Sequence, residues 1–131
     1  MADAAALAYA NPETLIILNH AGMPVDRDEE GIRLWQRGIR QLAGAPNVVA
    51  KISGLGTVDW KWTLESIRPF ILQTIEAFGI SRCMFASNFP IDKLYSDFDT
   101  LYGSFREITA SFSADERRKL FHDNAARYYR L

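Results

Sequence analysis

Residues 80–92, Ile-Ser-Arg-Cys-Met-Phe-Ala-Ser-Asn-Phe-Pro-Ile-Asp, decide how this chain is read. Cys83–Ala86 is a short apolar run with the character of a strand buried on both faces, and the strand is expected to reach Ser87. It opens directly into Asn88 and a proline turn at Pro90. An apolar strand followed at once by polar residues is how an α/β protein presents chemistry at the carboxyl ends of parallel strands. Two earlier stretches repeat the plan. Leu15–Leu18 runs into Asn19 and His20, and Val48–Ile52, which carries Lys51, runs into Ser53.

Between these strands the apolar spacing turns helical. Ile32, Trp35, Ile39 and Leu42 fall on one face, closed by Gly44 and Pro46. Ile67, Ile71, Ile75 and Phe78 form a second face, with Ser66 expected as N-cap, Pro69 in the first turn and Gly79 as the stop. Phe98, Leu101, Phe105, Ile108 and Phe112 form a third. Ser113-Ala-Asp-Glu116 reads as a capping box opening a short amphipathic helix that ends near His122, and Asn124 as the cap of a last turn. In front of all this, Ala2–Ala10 is a helix-prone segment stopped by Asn11-Pro12. The strand starts Leu15, Val48 and Cys83 lie 33 and 35 residues apart, near the ~31 per unit of an eight-unit barrel. The pattern is three βα units of an α/β fold in one domain, 1–131.

Composition narrows the function classes. The 131 residues are 48% apolar and 24% charged with a net charge of -1, the balance of an ordinary soluble chain. Such a charge gives no electrostatic reason to expect nucleic acid or an anionic membrane as partner. No apolar run is long enough to span a bilayer. The N-terminus lacks the pattern of a secretory signal, and the single cysteine, Cys83, reads as a buried reduced thiol; both fit a cytoplasmic protein. Gly54-Leu-Gly56 resembles the start of a dinucleotide fingerprint, but Asp59 stands where the third glycine belongs. No P-loop and no Gly-x-Ser-x-Gly elbow is present.

Side chains alternate along a strand. Counting back from His20, one face carries Ile16 and Leu18; the matching faces are read as Val49, Lys51 and Ser53, and as Met84, Ala86 and Asn88. Each goes from apolar to polar toward its C-terminal end. His20 is the leading candidate, as general acid/base or metal ligand, against a loop histidine satisfied by backbone groups. Lys51 and Ser53 are candidate substrate contacts; Lys51 equally fits a buried or snorkelling lysine. Asn88 fits a group that positions water or a carbonyl, since an amide cannot act as a base, or a cap on the strand end. Asp59 and Asp92 are loop carboxylates of the kind that are mostly just solvated. Trp60 and Trp62 can wall a pocket or fill an interface.

The blocks Leu-Asn-His-Ala-Gly-Met-Pro (18–24), Val-Val-Ala-Lys-Ile-Ser-Gly-Leu (48–55), Arg-Cys-Met-Phe-Ala-Ser-Asn-Phe-Pro-Ile-Asp (82–92) and His-Asp-Asn-Ala-Ala-Arg-Tyr-Tyr-Arg-Leu (122–131) resemble the amidohydrolase-related proteins. The similarity is strongest to their lactonase-like branch, which includes fuconolactonase, sulfomuconolactonase and pyrone-dicarboxylate lactonase. It implies a (β/α)₈ TIM barrel of which this chain is the C-terminal portion, strands six to eight. It further implies hydrolysis of a lactone or a similar ester or amide by an activated water. His20 then matches the histidine after strand six. Asn88 stands where most of the superfamily has an aspartate that ligates metal or acts as base, a departure shared with part of the lactonase-like branch. The resemblance implies a divalent metal, zinc or manganese, in the complete barrel, but the His-x-His pair of strand one and the ligands of strands four and five have no counterpart here. The expectations are therefore a small-molecule substrate, little turnover by this chain alone, and pairing with itself or with an N-terminal half. The alternative is a non-catalytic α/β module that associates in the same way.

Overall fold

A computed structural model describes all 131 residues. Helix α1 (Ala2–Ala10) precedes strand β1 (Ile16–Leu18), helix α2 (Glu29–Ala43), strand β2 (Val48–Ile52), helix α3 (Leu64–Phe78), strand β3 (Cys83–Phe85), helix α4 (Phe98–Ile108), and the short helices α5 (Ala114–Arg118) and α6 (Asn124–Tyr129). The strands form one parallel sheet in the order β1-β2-β3. Every strand therefore ends on the same side, and the helices return the chain to start the next. No helix is long and apolar enough to cross a membrane.

Local signals set the helix ends. Asp28 caps α2 by accepting from the Gly31 N–H, and Ser113 with Glu116 forms the expected capping box of α5. At α3 the start lies three residues earlier than expected. Thr63 is the N-cap and Ser66 the reciprocal partner of its capping box, so Pro69 sits inside the helix rather than in its first turn. The Pro69 ring cannot supply the N–H that would bond back to Glu65. Helix α4 stops at Ile108, and Phe112 packs on the core from the following turn. Asn124 is no cap but the first residue of α6, joined to α5 by a π-helical turn over Lys119–Asp123.

The register corrects the expected strand faces. Ile16 pairs with Val48 and Leu18 with Ala50; Ala50 pairs with Cys83, Lys51 with Met84 and Ile52 with Phe85. Paired residues in a parallel ladder point the same way, so Ile16 and Leu18 share a face with Val48, Ala50, Ile52, Cys83 and Phe85. That face joins the helix-side core with Trp35, Ile39, Ile67, Ile71 and Phe105. Val49, Lys51 and Met84 point to the other side. The strands are also shorter than expected: Leu15 is 42% exposed and outside β1, and β3 ends at Phe85, two residues before Ser87. β1 is half-buried throughout, whereas β3, the other edge strand, is fully buried.

The amino ends of the strands are pinned by polar side chains. The Arg82 guanidinium donates to the carbonyls of Ala43 (2.8 Å), Ala45 (2.9 Å), Val48 (3.3 Å) and Phe78 (3.0 Å). The buried Asn124 amide donates to Ile80 O and Cys83 O, both at 2.7 Å. Behind it Leu120 is fully buried and the Phe121 ring lies 4.8 Å from that of Phe85. Each fully buried large apolar side chain contributes on the order of 2 kcal/mol.

Asn124→Ala removes the side-chain donor shared by two carbonyls at the foot of β3. It should destabilise the chain by about 2 kcal/mol, read as a lowered urea midpoint at unchanged slope. Burial pushes the Cys83 thiol up to about 12. Native protein should resist thiol reagents at neutral pH, and denatured protein should react at once.

Candidate functional site

At the carboxyl end of β1 the strand alternation breaks. His20 (φ 56), Ala21 (φ 49), Gly22 (φ 73) and Met23 (φ 51) are consecutive left-handed residues. Such a conformation costs each non-glycine residue on the order of 1–2 kcal/mol and is found where the surrounding structure enforces it. Here the Trp35 indole N–H donates to Ala21 O at 2.8 Å and holds the turn from below. The reversal swings His20 off the parity of Ile16 and Leu18 and over the end of β2. Its Nδ1 comes to 2.9 Å from Ser53 Oγ. Ser53 is buried, 1% exposed.

Gly54 makes that approach possible. A Cβ at this position would stand 2.6 Å from His20 Nδ1 and 3.1 Å from Asn88 Nδ2, and its φ is +62. Both the space and the backbone conformation exclude a side chain. His20 and Asn88 therefore flank one point, reached from the ends of β1 and β3.

Asn88 is also left-handed, at φ 59. Its Nδ2 donates to Asp92 Oδ1 at 2.9 Å and lies 3.4 Å from Thr57 Oγ1. Asp92 is 3% exposed. Burial holds its carboxyl above the ordinary range, only partly offset by the hydrogen bonds from Asn88 and Thr57 and the charge of His20. A loop carboxylate expected to be solvated is thus enclosed beside the strand ends.

The remaining candidates form no hydrogen bond to His20, Ser53 or Asn88. Lys51 shares the sheet face of Val49 and Met84, with its Nζ 3.4 Å from the hydroxyl of Tyr129 at the end of α6. Trp60 is 72% exposed and stacks on Tyr95, with centroids 5.6 Å apart and planes at 19°. Its indole N–H donates to Thr57 O at 3.2 Å, so the rim formed by the two aromatics is tied to the residue that touches Asn88. Trp62 is half-buried against the core. Asp59 holds the loops together: Arg27 Nη1 lies 3.2 Å from its Oδ2, and Arg27 Nη2 donates to Leu55 O at 2.6 Å. His122 is exposed and pairs with Asp123. A groove of about 580 Å³ between α2 and α3, lined by Gln36, Arg40, Gln73 and Glu76 among others, holds none of the strand-end residues.

Gly54, Thr57 and the enclosure of Asp92 escaped the reading of the sequence. For Gly54 a signal existed, a glycine directly behind a polar strand end. For Asp92 none did, because burial of a loop carboxylate depends on two other loops.

The residues present do not by themselves fit a metal ion. No three His, Cys, Asp or Glu side chains come together anywhere in the chain. At the strand ends one imidazole has its Nδ1 engaged by Ser53, and Asn88 points its N–H toward the one carboxylate.

The family model for Amidohydrolase matches residues 1–131. The uncharacterized protein y4mH of Sinorhizobium fredii is 54% identical over 127 residues, which are 95% of this chain and 42% of that protein. L-fucono-1,5-lactonase of Burkholderia multivorans is 35% identical over 88% of this chain and 43% of its own. The crystal structure of an amidohydrolase from Burkholderia multivorans with bound zinc superposes with a TM-score of 0.92 at 32% identity, over 98% of this chain and 48% of that one. The chain thus spans somewhat under half the length of these relatives. With the chain matched by the family model along its whole length, and its three parallel βα units overlying part of a known member, the chain belongs to the amidohydrolase family and has the architecture of a partial TIM barrel.

Proposed function

We propose that this chain supplies the C-terminal part of a lactone-hydrolysing active site, completed by barrel strands that pair with the free edges of β1 and β3. The observation that carries the reading is the seating of His20 on Ser53 over the bare Gly54 backbone, beside Asn88. The lactonase of Burkholderia multivorans supports the substrate class, and the family supports a small molecule as substrate.

Ser53 occupies His20 Nδ1, which leaves Nε2 for a reacting group. His20 takes a proton from water as the water oxygen adds to the lactone carbonyl. It then returns the proton to the ring oxygen as the ring C–O bond breaks. Asn88 orients the water. Lys51 offers a positive charge to the carboxylate that opening creates, and the Trp60–Tyr95 pair walls the ring. A divalent metal bound by the complete barrel would polarise the carbonyl; the reading assigns no step in this chain to it. The solved relative with zinc supports a metal for the family.

A hybrid in which this chain replaces the matching segment of the Burkholderia multivorans amidohydrolase should hydrolyse L-fucono-1,5-lactone. His20→Ala should lower its kcat about 100-fold. The chain alone, given zinc or manganese, should show little turnover and should associate in light scattering. A folded hybrid indifferent to His20→Ala, or an associating chain whose folded hybrid is inactive, favours the non-catalytic module. In the same hybrid Gly54→Ala should cost activity comparable to His20→Ala, because the new Cβ takes the space of the ring, with a structural cost of about 1–2 kcal/mol for the left-handed backbone.

A further inference from the structure

Asp92 is the one charged side chain that the chain buries. An enclosed carboxylate is costly unless a cation or a set of donors compensates it. No ion pair of the chain includes Asp92. Its partners are neutral, the Asn88 amide and the Thr57 hydroxyl. Packing alone gives no reason for a carboxylate here.

The three groups close a triangle. Asn88 Nδ2 is 2.9 Å from Asp92 Oδ1 and 3.4 Å from Thr57 Oγ1, and Thr57 Oγ1 is 3.5 Å from Asp92 Oδ1. A carboxylate only accepts, so the amide atom facing it is the nitrogen. The Thr57 hydroxyl gives its proton to Asp92 and offers a lone pair to the second amide hydrogen. Both N–H groups of Asn88 are thereby used, and no group of the chain bonds to its Oδ1.

We propose that Asp92, with Thr57, is a positioning residue that locks the Asn88 amide through its Nδ2, so that the carbonyl oxygen is the amide atom left to meet a reacting water. On the lactonase reading, on which this rests, Asn88 Oδ1 accepts one hydrogen of the attacking water while His20 Nε2 takes the other proton. The oxygen lone pair between them then points at the lactone carbonyl. The arrangement also fixes the chemistry that this point of the site prefers, a hydroxyl or water that donates, rather than a bare anion. It places the carboxylate one turn beyond Asn88, where it acts through the amide instead of on the substrate.

The test has two arms. In NMR of the ¹⁵N-labelled 131-residue chain, both Asn88 side-chain amide protons should be protected from solvent exchange and one shifted downfield. Asp92→Asn should remove the shift, and Thr57→Val should expose the other proton. In the hybrid barrel with L-fucono-1,5-lactone, Asp92→Asn should lower kcat by about 100-fold with little change in KM, as expected for a misplaced rather than a missing contact. Asn88→Asp alone sets two carboxylates against each other and should be as poor. The exchange of both, Asn88→Asp with Asp92→Asn, again leaves an acceptor facing the site and should recover about tenfold over either single variant. Freely exchanging Asn88 amide protons in the unsubstituted chain overturn the proposal, as do unchanged kinetics in Asp92→Asn or an exchange no better than its parents. An unsubstituted hybrid with no turnover sinks the lactone reading, and the amide signals then decide the locking of Asn88 by themselves.

Discussion

The His20 ring stands where residue 54 would carry its Cβ. That one steric fact ties together the ends of two strands and the start of a loop. His20 meets Ser53 across the bare backbone at Gly54, after the chain turns left-handed from His20 through Met23. Asn88 approaches the same point from the third strand. Fill that point and the imidazole must leave, the Ser53 hydroxyl loses its partner, and the strand ends no longer share a site.

The two ends of the sheet are built differently. At the amino ends, Arg82 and Asn124 bind backbone carbonyls directly, with the apolar faces of the helices packed alongside. These groups fix where the strands start. At the carboxyl ends the side chains bond to one another, as His20 to Ser53 and Asn88 to Asp92, and the backbone adopts unfavourable conformations. A barrel segment with a rigid foot and a strained, polar top separates stability from chemistry along the strand direction. The Arg27–Asp59 ion pair adds a strap between the loops after β1 and β2, holding the surroundings of the site without entering it.

Much of the scaffold was legible in the sequence because it rests on local signals. Helical spacing from Ile32 to Leu42, the Ser113–Glu116 box and the apolar runs at Val48 and Cys83 each declare themselves within a few residues. The grouping of His20, Ser53 and Asn88 near strand ends followed from the same runs. The reason offered for it did not hold. Counting alternate residues back from His20 put Ile16 and Leu18 on the site face, whereas the register puts them on the helix face. Parity fails once a strand ends in a left-handed turn, and nothing within residues 15–24 announces that turn except Gly22. Gly54 and Asp92 depend on contacts between separate loops, which no spacing within one segment reveals. Trp60 stands on an exposed rim stacked with Tyr95, a residue 35 positions away in sequence, a pairing that no local spacing reveals.

The measurement closest to the central claim is a crystal structure of the hybrid barrel with L-fuconate, the acid that hydrolysis of the lactone yields. The account predicts the acid at the carboxyl ends of the strands, with an oxygen within hydrogen-bond reach of both His20 Nε2 and Asn88 Oδ1, and with His20 still seated on Ser53. An acid bound elsewhere, such as in the groove between α2 and α3, or a His20 ring turned away from Ser53 in the complex, would contradict it.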